Sequence, residues 1–172
     1  EGHEFDRRVD DSGEGVDHAP IKMDLPEIER DEAGIPTFIF HDKLAEGDRP
    51  SAEKKTLEVV MLWREAVMTV GHYNAKSITI GDALNNDFRV ASDAIPVESF
   101  HLVQFEEGQF MVNWTDQMSI EVRGEDGEIL GEEALQGRQQ VRKTSTDEFS
   151  CDQYTVDLHD RVAIQVGELT FV

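Results

Sequence analysis

The feature that most constrains the fold is alternation. From residue 57 to residue 172 apolar side chains recur at every second position or in short continuous runs, and each run closes on turn residues. Alternation puts successive side chains on opposite faces of an extended chain, so such runs fit a sheet and not a helical stripe. Residues 57–63 open the series, and 67–72 and 76–81 follow, the last with Ile78 and Ile80 on one face. Residues 87–90 form a shorter candidate. Residues 100–105, the turn Glu106-Glu107-Gly108 and residues 109–114 predict a hairpin. Residues 118–123 alternate again, and Glu125-Asp126-Gly127-Glu128 turns the chain into Ile129-Leu130. Residues 154–158, 161–167 and 169–172 complete the set, and only 132–140 reads as a helix. Ten or so strands without intervening helices predict an all-β fold, an antiparallel β-sandwich.

The first 56 residues are different. They are rich in Asp, Glu, Gly and Pro, with clusters such as Asp10-Asp11-Ser12-Gly13-Glu14-Gly15 that bury too little apolar area to offset ordering entropy, and they read as an acidic, largely irregular linker. The exception is Ile35-Pro36-Thr37-Phe38-Ile39-Phe40, an apolar run that fits a strand or a docking segment and that Pro36 limits to a sheet edge. Two parts are therefore expected, a linker over 1–56 and a sandwich over 57–172.

Charge narrows the partners. The chain carries 37 acidic against 16 basic residues, a net charge of −21, spread over both parts. Such a field repels phosphate backbones and anionic lipid surfaces, which argues against nucleic acid and favours solvation or basic protein partners. No apolar run approaches the ~18 residues of a membrane helix, and no signal peptide opens the sequence. The chain starts on Glu1 and stops on an apolar run, so the expectation is a fragment of a longer polypeptide, with room for a membrane helix beyond either end.

Residue types that carry chemistry are scattered. The single Cys151 excludes an intramolecular disulfide and a cysteine-based zinc site, fits a reducing, cytoplasmic setting, and stands beside Asp152, which does not favour a thiolate. The six histidines form no His-x-x-x-His or Glu-x-x-His pair; His101 sits among apolar residues and reads as structural. No Gly-x-Ser-x-Gly is present, and the acidic clusters lack the alternating ligands of a calcium loop. The expectation is a protein without catalytic residues, metal or cofactor. A small hydrolase or metal-dependent enzyme with fold-assembled carboxylates is the least favoured alternative.

Several stretches resemble the forkhead-associated (FHA) domain, a β-sandwich whose loops at one end recognise phosphothreonine. Ser77-Ile78-Thr79-Ile80-Gly81 looks like the strand entering that family's Gly-Arg position, Asn85-Asn86-Asp87-Phe88 like the following loop, Ser99-Phe100-His101 like the serine and histidine loop, and residues 160–167 like the closing strand. Asp82 stands where the family has its phosphate-gripping arginine, and Trp114-Thr115-Asp116-Gln117-Met118 replaces the Gly-Ser-Thr-Asn-Gly loop. The resemblance implies a protein-binding module with a degenerate phosphothreonine site, its loop candidates being Asp82, Asn85, Asn86, Ser99 and Asp116. Retained phosphothreonine binding, with Arg89 or Arg123 in place of the arginine, is the alternative. Residues 57–63, the His72-Tyr73 pair, Ser77 to Gly81 and the closing Gly167-Glu168-Leu169-Thr170-Phe171-Val172 further resemble the FHA-like cytoplasmic segment of myxobacterial gliding-motility proteins that end in a TonB-like region. That resemblance implies a scaffold or transducer role with basic or phosphorylated protein partners in an envelope complex.

Overall fold

Strand-length runs become strands because each can bury one face against a second sheet. A computed structural model describes residues 55–146 and 148–172. Among these the chain forms β1 (Thr56–Trp63), β2 (Ala66–Asn74), β3 (Ile78–Gly81), β4 (Phe88–Arg89), β5 (Phe100–Glu106), β6 (Gln109–Trp114), β7 (Met118–Arg123) and β8 (Ile129–Gly131), then the short helix α1 (Glu132–Gln136), and finally β9 (Val141–Ser145), β10 (Ser150–Thr155), β11 (Arg161–Val166) and β12 (Leu169–Phe171). The apolar run at 35–40 lies outside the described residues. No described helix is long and apolar enough to cross a membrane.

The strands form two six-stranded sheets, ordered β2-β1-β12-β11-β7-β8 and β4-β3-β5-β6-β10-β9. One core lies between them. Ile78, Ile80, Val112 and Trp114 from the second sheet meet Val59, Ile120, Val166 and Phe171 from the first, all buried. Aromatic edges bridge the sheets, with Phe88 5.6 Å from Phe171 and 6.3 Å from Tyr73 between ring centroids. The all-β expectation holds, with one difference in strand sense. Every pairing is antiparallel except β3 with β4, which run parallel because the six residues after Gly81 carry the chain back alongside β3.

Elsewhere the structure refines the sequence boundaries. The 100–114 hairpin forms with a two-residue turn, in which Glu107 and Gly108 both have positive φ (51° and 78°), as a type I′ turn requires. The expected helix shrinks to five residues, because only Leu135 buries and Gly137 closes it with its N–H on the Leu135 carbonyl. β9 was not expected from sequence: four of its five side chains are exposed, so no alternation shows. The strand expected over 154–158 sits instead at β10. Its polar Gln153 is buried among amides, its Nε2 donating to Asn113 Oδ1 (2.9 Å) and Gln104 Oε1 (2.5 Å).

The sheet order fixes which loops meet. β6 passes into β7 through Thr115, Asp116 and Gln117, so the two sheets share an end there. Residues 82–87 and 90–99 and the turns at 64–65 and 167–168 open at that same end. Gly167 lies against Ser92, whose Oγ stands 3.0 Å from where a Cβ on that glycine would be.

Candidate functional site

At this loop end the backbone of Glu98 organises the surface. Its carbonyl accepts the Ala83 N–H (3.1 Å) and Asn86 Nδ2–H (2.8 Å), tying the 82–87 loop to the 90–99 loop. Ser99 Oγ donates to Asn86 Oδ1 (2.7 Å), and the Val90 N–H donates to the Gly81 carbonyl (2.9 Å). Gly81 adopts φ +140°, and a Cβ there would sit 2.2 Å from the Glu98 carbonyl oxygen, so this close approach requires glycine.

Asp82 and Arg89 are joined as well. Arg89 Nε donates to the Asp82 carbonyl (3.2 Å), and its guanidinium lies 3.5 Å from the Asp82 carboxylate. Both side chains are largely exposed, so the pair adds less than ~1 kcal/mol to stability, yet it compensates the charge of Arg89 at the loop end. Beside it lies an open cleft of ≈ 320 Å³ lined by Asp82, Val90, Ser92, Ile95, Val97 and Glu98 among others, a lining that mixes apolar side chains with two carboxylates. Asp93, Asp116 and Glu168 add negative charge at the same end. Arg64 is the other base here, 3.9 Å from Glu168 and stacked 5.2 Å from the Trp63 ring centroid. Leu84 is 83% exposed at the loop tip.

Of the sequence candidates, Asp82, Asn85, Asn86, Ser99, Asp116 and Arg89 thus stand at one end. Asn86 and Ser99 clasp each other, Asp82 engages Arg89, and Asn85 and Asp116 are exposed. Arg123 stands apart. It closes β7 at the opposite end of the sandwich, in register with Arg161, whose guanidinium pKa is lowered by burial and by the Arg123 charge. The structure therefore does not bring Arg89 and Arg123 together. His101, read from sequence as a structural histidine among apolar residues, has its side chain exposed on β5; there the register against β3 shifts, and the His101 carbonyl accepts from Asn113 Nδ2 (2.8 Å). Sequence reasoning passed over Glu98, because no residue type marks a backbone carbonyl that holds two loops.

Titratable groups elsewhere are engaged in structure. Cys151 is buried, and burial followed by the Asp152 charge pushes its thiol pKa up, away from the thiolate. Asp87 is held below the ordinary carboxylate value: partial burial raises its pKa, but bonds from Lys76 and from the Thr79 N–H and hydroxyl outweigh it. Tyr154 donates to Asp160 Oδ2 (2.6 Å), and burial together with that carboxylate pushes the phenol well above its usual value. Among the described residues no group of three or more His, Cys, Asp or Glu side chains is placed to hold a metal ion. Neither a protein-family model nor a curated protein nor a solved structure matches the chain.

Proposed function

We propose that this domain is an FHA-like, non-catalytic interaction module that binds a protein partner at its loop end without needing a phosphate. The observation that carries this reading is the charge at the loop end. The cleft is lined in part by Asp82 and Glu98, and the nearest guanidinium, Arg89, is already paired with Asp82. A phosphate of about −2 charge approaching it meets two carboxylates, whereas a lysine or arginine carried on an extended apolar segment meets its complement. Two sheets around one core with loops gathered at one end support the FHA-like description. A role as the cytoplasmic part of a gliding-motility or envelope-spanning assembly rests on the sequence resemblance alone.

An array of Lys- and Arg-containing peptides, each threonine presented free and phosphorylated, tests the reading on the full chain. Free forms are expected to be retained at least as well as phosphorylated ones, with retention falling at higher salt and on Asp82→Ala or Glu98→Ala. Retention of the phosphorylated forms alone would overturn it. A second reading, phosphothreonine recognition through Arg89, is favoured by the position of that guanidinium at the loop end. It requires that Arg89→Ala abolish, and Asp82→Ala strengthen, binding of the phosphorylated forms.

A further inference from the structure

Two arginines at the loop end sit on acceptors that a partner's cations would use. Arg89 lies on Asp82, part of the cleft lining. Arg64 lies 3.9 Å from Glu168, with its guanidinium 5.2 Å from the Trp63 ring centroid. Burial holds neither pair, since their four side chains are between 54% and 74% exposed. An ion pair this wet is worth at most about fivefold in an equilibrium constant, so an incoming cation competes with it on nearly equal terms. Trp63 is itself 44% exposed, although an indole is the largest apolar group a chain can bury. It closes β1 opposite Leu169 and directs its Nε1–H at Glu168 Oε2 (3.5 Å). The two positions belong to one surface. Ser92 lines the cleft and stands against Gly167, and Glu168 is the next residue in the chain. A segment laid across Ser92 and Gly167 reaches from Asp82 to Trp63.

Resting on the reading of the loop end as a phosphate-independent site for a basic segment, we infer that this segment carries two cations. One enters the cleft at Asp82 and Glu98, and the other stacks on Trp63 against Glu168, in the places that Arg89 and Arg64 hold in the free domain. An indole face beside a carboxylate suits a cation better than a carboxylate alone, because the ring quadrupole adds to the attraction. Arginine gains most there, since its planar guanidinium stacks. Once the first cation is seated, the second binds intramolecularly, so two weak positions give one selective site. Arg64 and Arg89 act as placeholders: they keep the acceptors paired in the free domain, and their displacement sets the affinity. A segment with a single cation leaves one placeholder where it is and gains nothing from the second acceptor.

Titration calorimetry of the full chain decides it, with extended, otherwise uncharged peptides that carry one arginine, or two arginines separated by one to four residues. The best two-arginine peptide is expected to bind about fivefold more tightly than the one-arginine peptide or better. It should also change tryptophan emission, which reports on Trp63 because Trp114 is fully buried. Trp63→Leu is expected to bring the two-arginine peptide down to the level of the one-arginine peptide and to leave the latter unchanged. Arg89→Gln and Arg64→Asn, the latter keeping a residue that tolerates the φ of 55° there, should each tighten the two-arginine peptide by about two- to fivefold. Arg138→Gln removes the same charge beside Glu128 at the opposite pole and should change nothing. Equal binding of one- and two-arginine peptides at every spacing overturns the inference and leaves the basic-segment reading standing. So does a two-arginine peptide that Trp63→Leu does not weaken, or tightening by Arg138→Gln as large as by Arg64→Asn, which marks bulk charge. Binding of no peptide by the natural chain overturns both.

Discussion

Gly81→Ala separates two costs that a glycine can conceal. At φ +140° any side chain meets the sparsely populated backbone region, a cost of about 1–3 kcal/mol. In addition the new Cβ falls 2.2 Å from the Glu98 carbonyl oxygen, which is backbone and cannot rotate aside. If that carbonyl retreats, the bonds from the Ala83 N–H and Asn86 Nδ2–H are lost or stretched, at about 0.5–1.5 kcal/mol each. Together these give a loss of about 2–6 kcal/mol, a large fraction of the stability of an ordinary domain. Gly108→Ala is the control. Its φ is +78°, but nothing lies within 4 Å of its Cβ, so only the backbone cost of about 1–2 kcal/mol remains. Urea unfolding of both variants, followed by tryptophan fluorescence, should place Gly81→Ala at least 1 kcal/mol below Gly108→Ala. Equal midpoints with equal slopes would refute the argument that Glu98 and Gly81 are locked in contact.

Two further outcomes follow from buried polar contacts. Gln153→Ala leaves Asn113 Oδ1, Gln104 Oε1 and Arg142 without the amide they bond at a buried position, so it should cost about 2–4 kcal/mol by urea unfolding, whereas Gln165→Ala at an exposed position should stay within about 0.5 kcal/mol; similar losses for both would sink the network. Asp87 has a folded pKa below its unfolded value, so its contribution is complete above pH ~4 and fades as pH falls through the folded pKa. Asp87→Asn should therefore lower stability by about 1–2 kcal/mol at pH 7 and make the difference from the natural chain shrink below pH 4, and a gap independent of pH would contradict the assigned role of Lys76 and Thr79.

The sequence disclosed strands wherever one face was apolar and the other polar. β3, β5, β6, β7 and β11 stand within two residues of their expected limits for that reason. β9 escaped because an edge strand with only Val141 turned inward carries no period, and β10 because its burial is achieved by amides bonding amides and not by apolar side chains. Parallel pairing of β3 with β4 is a property of the path of a loop, which composition does not encode. At the candidate site the sequence picked out residues that do cluster, since turn-forming Asp, Asn and Ser accumulate where loops converge. It did not show that Asn86 and Ser99 spend their polar groups on each other, or that Asp82 and Arg89 form a pair, because both facts depend on distances across separate loops.

The pairing of the first strand with the last sets how the domain carries load. β1 and β12 are adjacent and antiparallel, with Val60 and Val172 exchanging both backbone bonds (2.7 and 2.9 Å). The leading end of β1 and the trailing end of β12 consequently point toward the pole opposite the loops. Tension applied through residues 55 and 172 would pull these two strands apart from one side, so that the rungs break in turn, beginning at the Val60–Val172 pair, instead of resisting together in shear. As a mechanical element the sandwich is a zip that opens at low force, while the surface formed by the 82–87 and 90–99 loops lies at the far pole and feels that tension last.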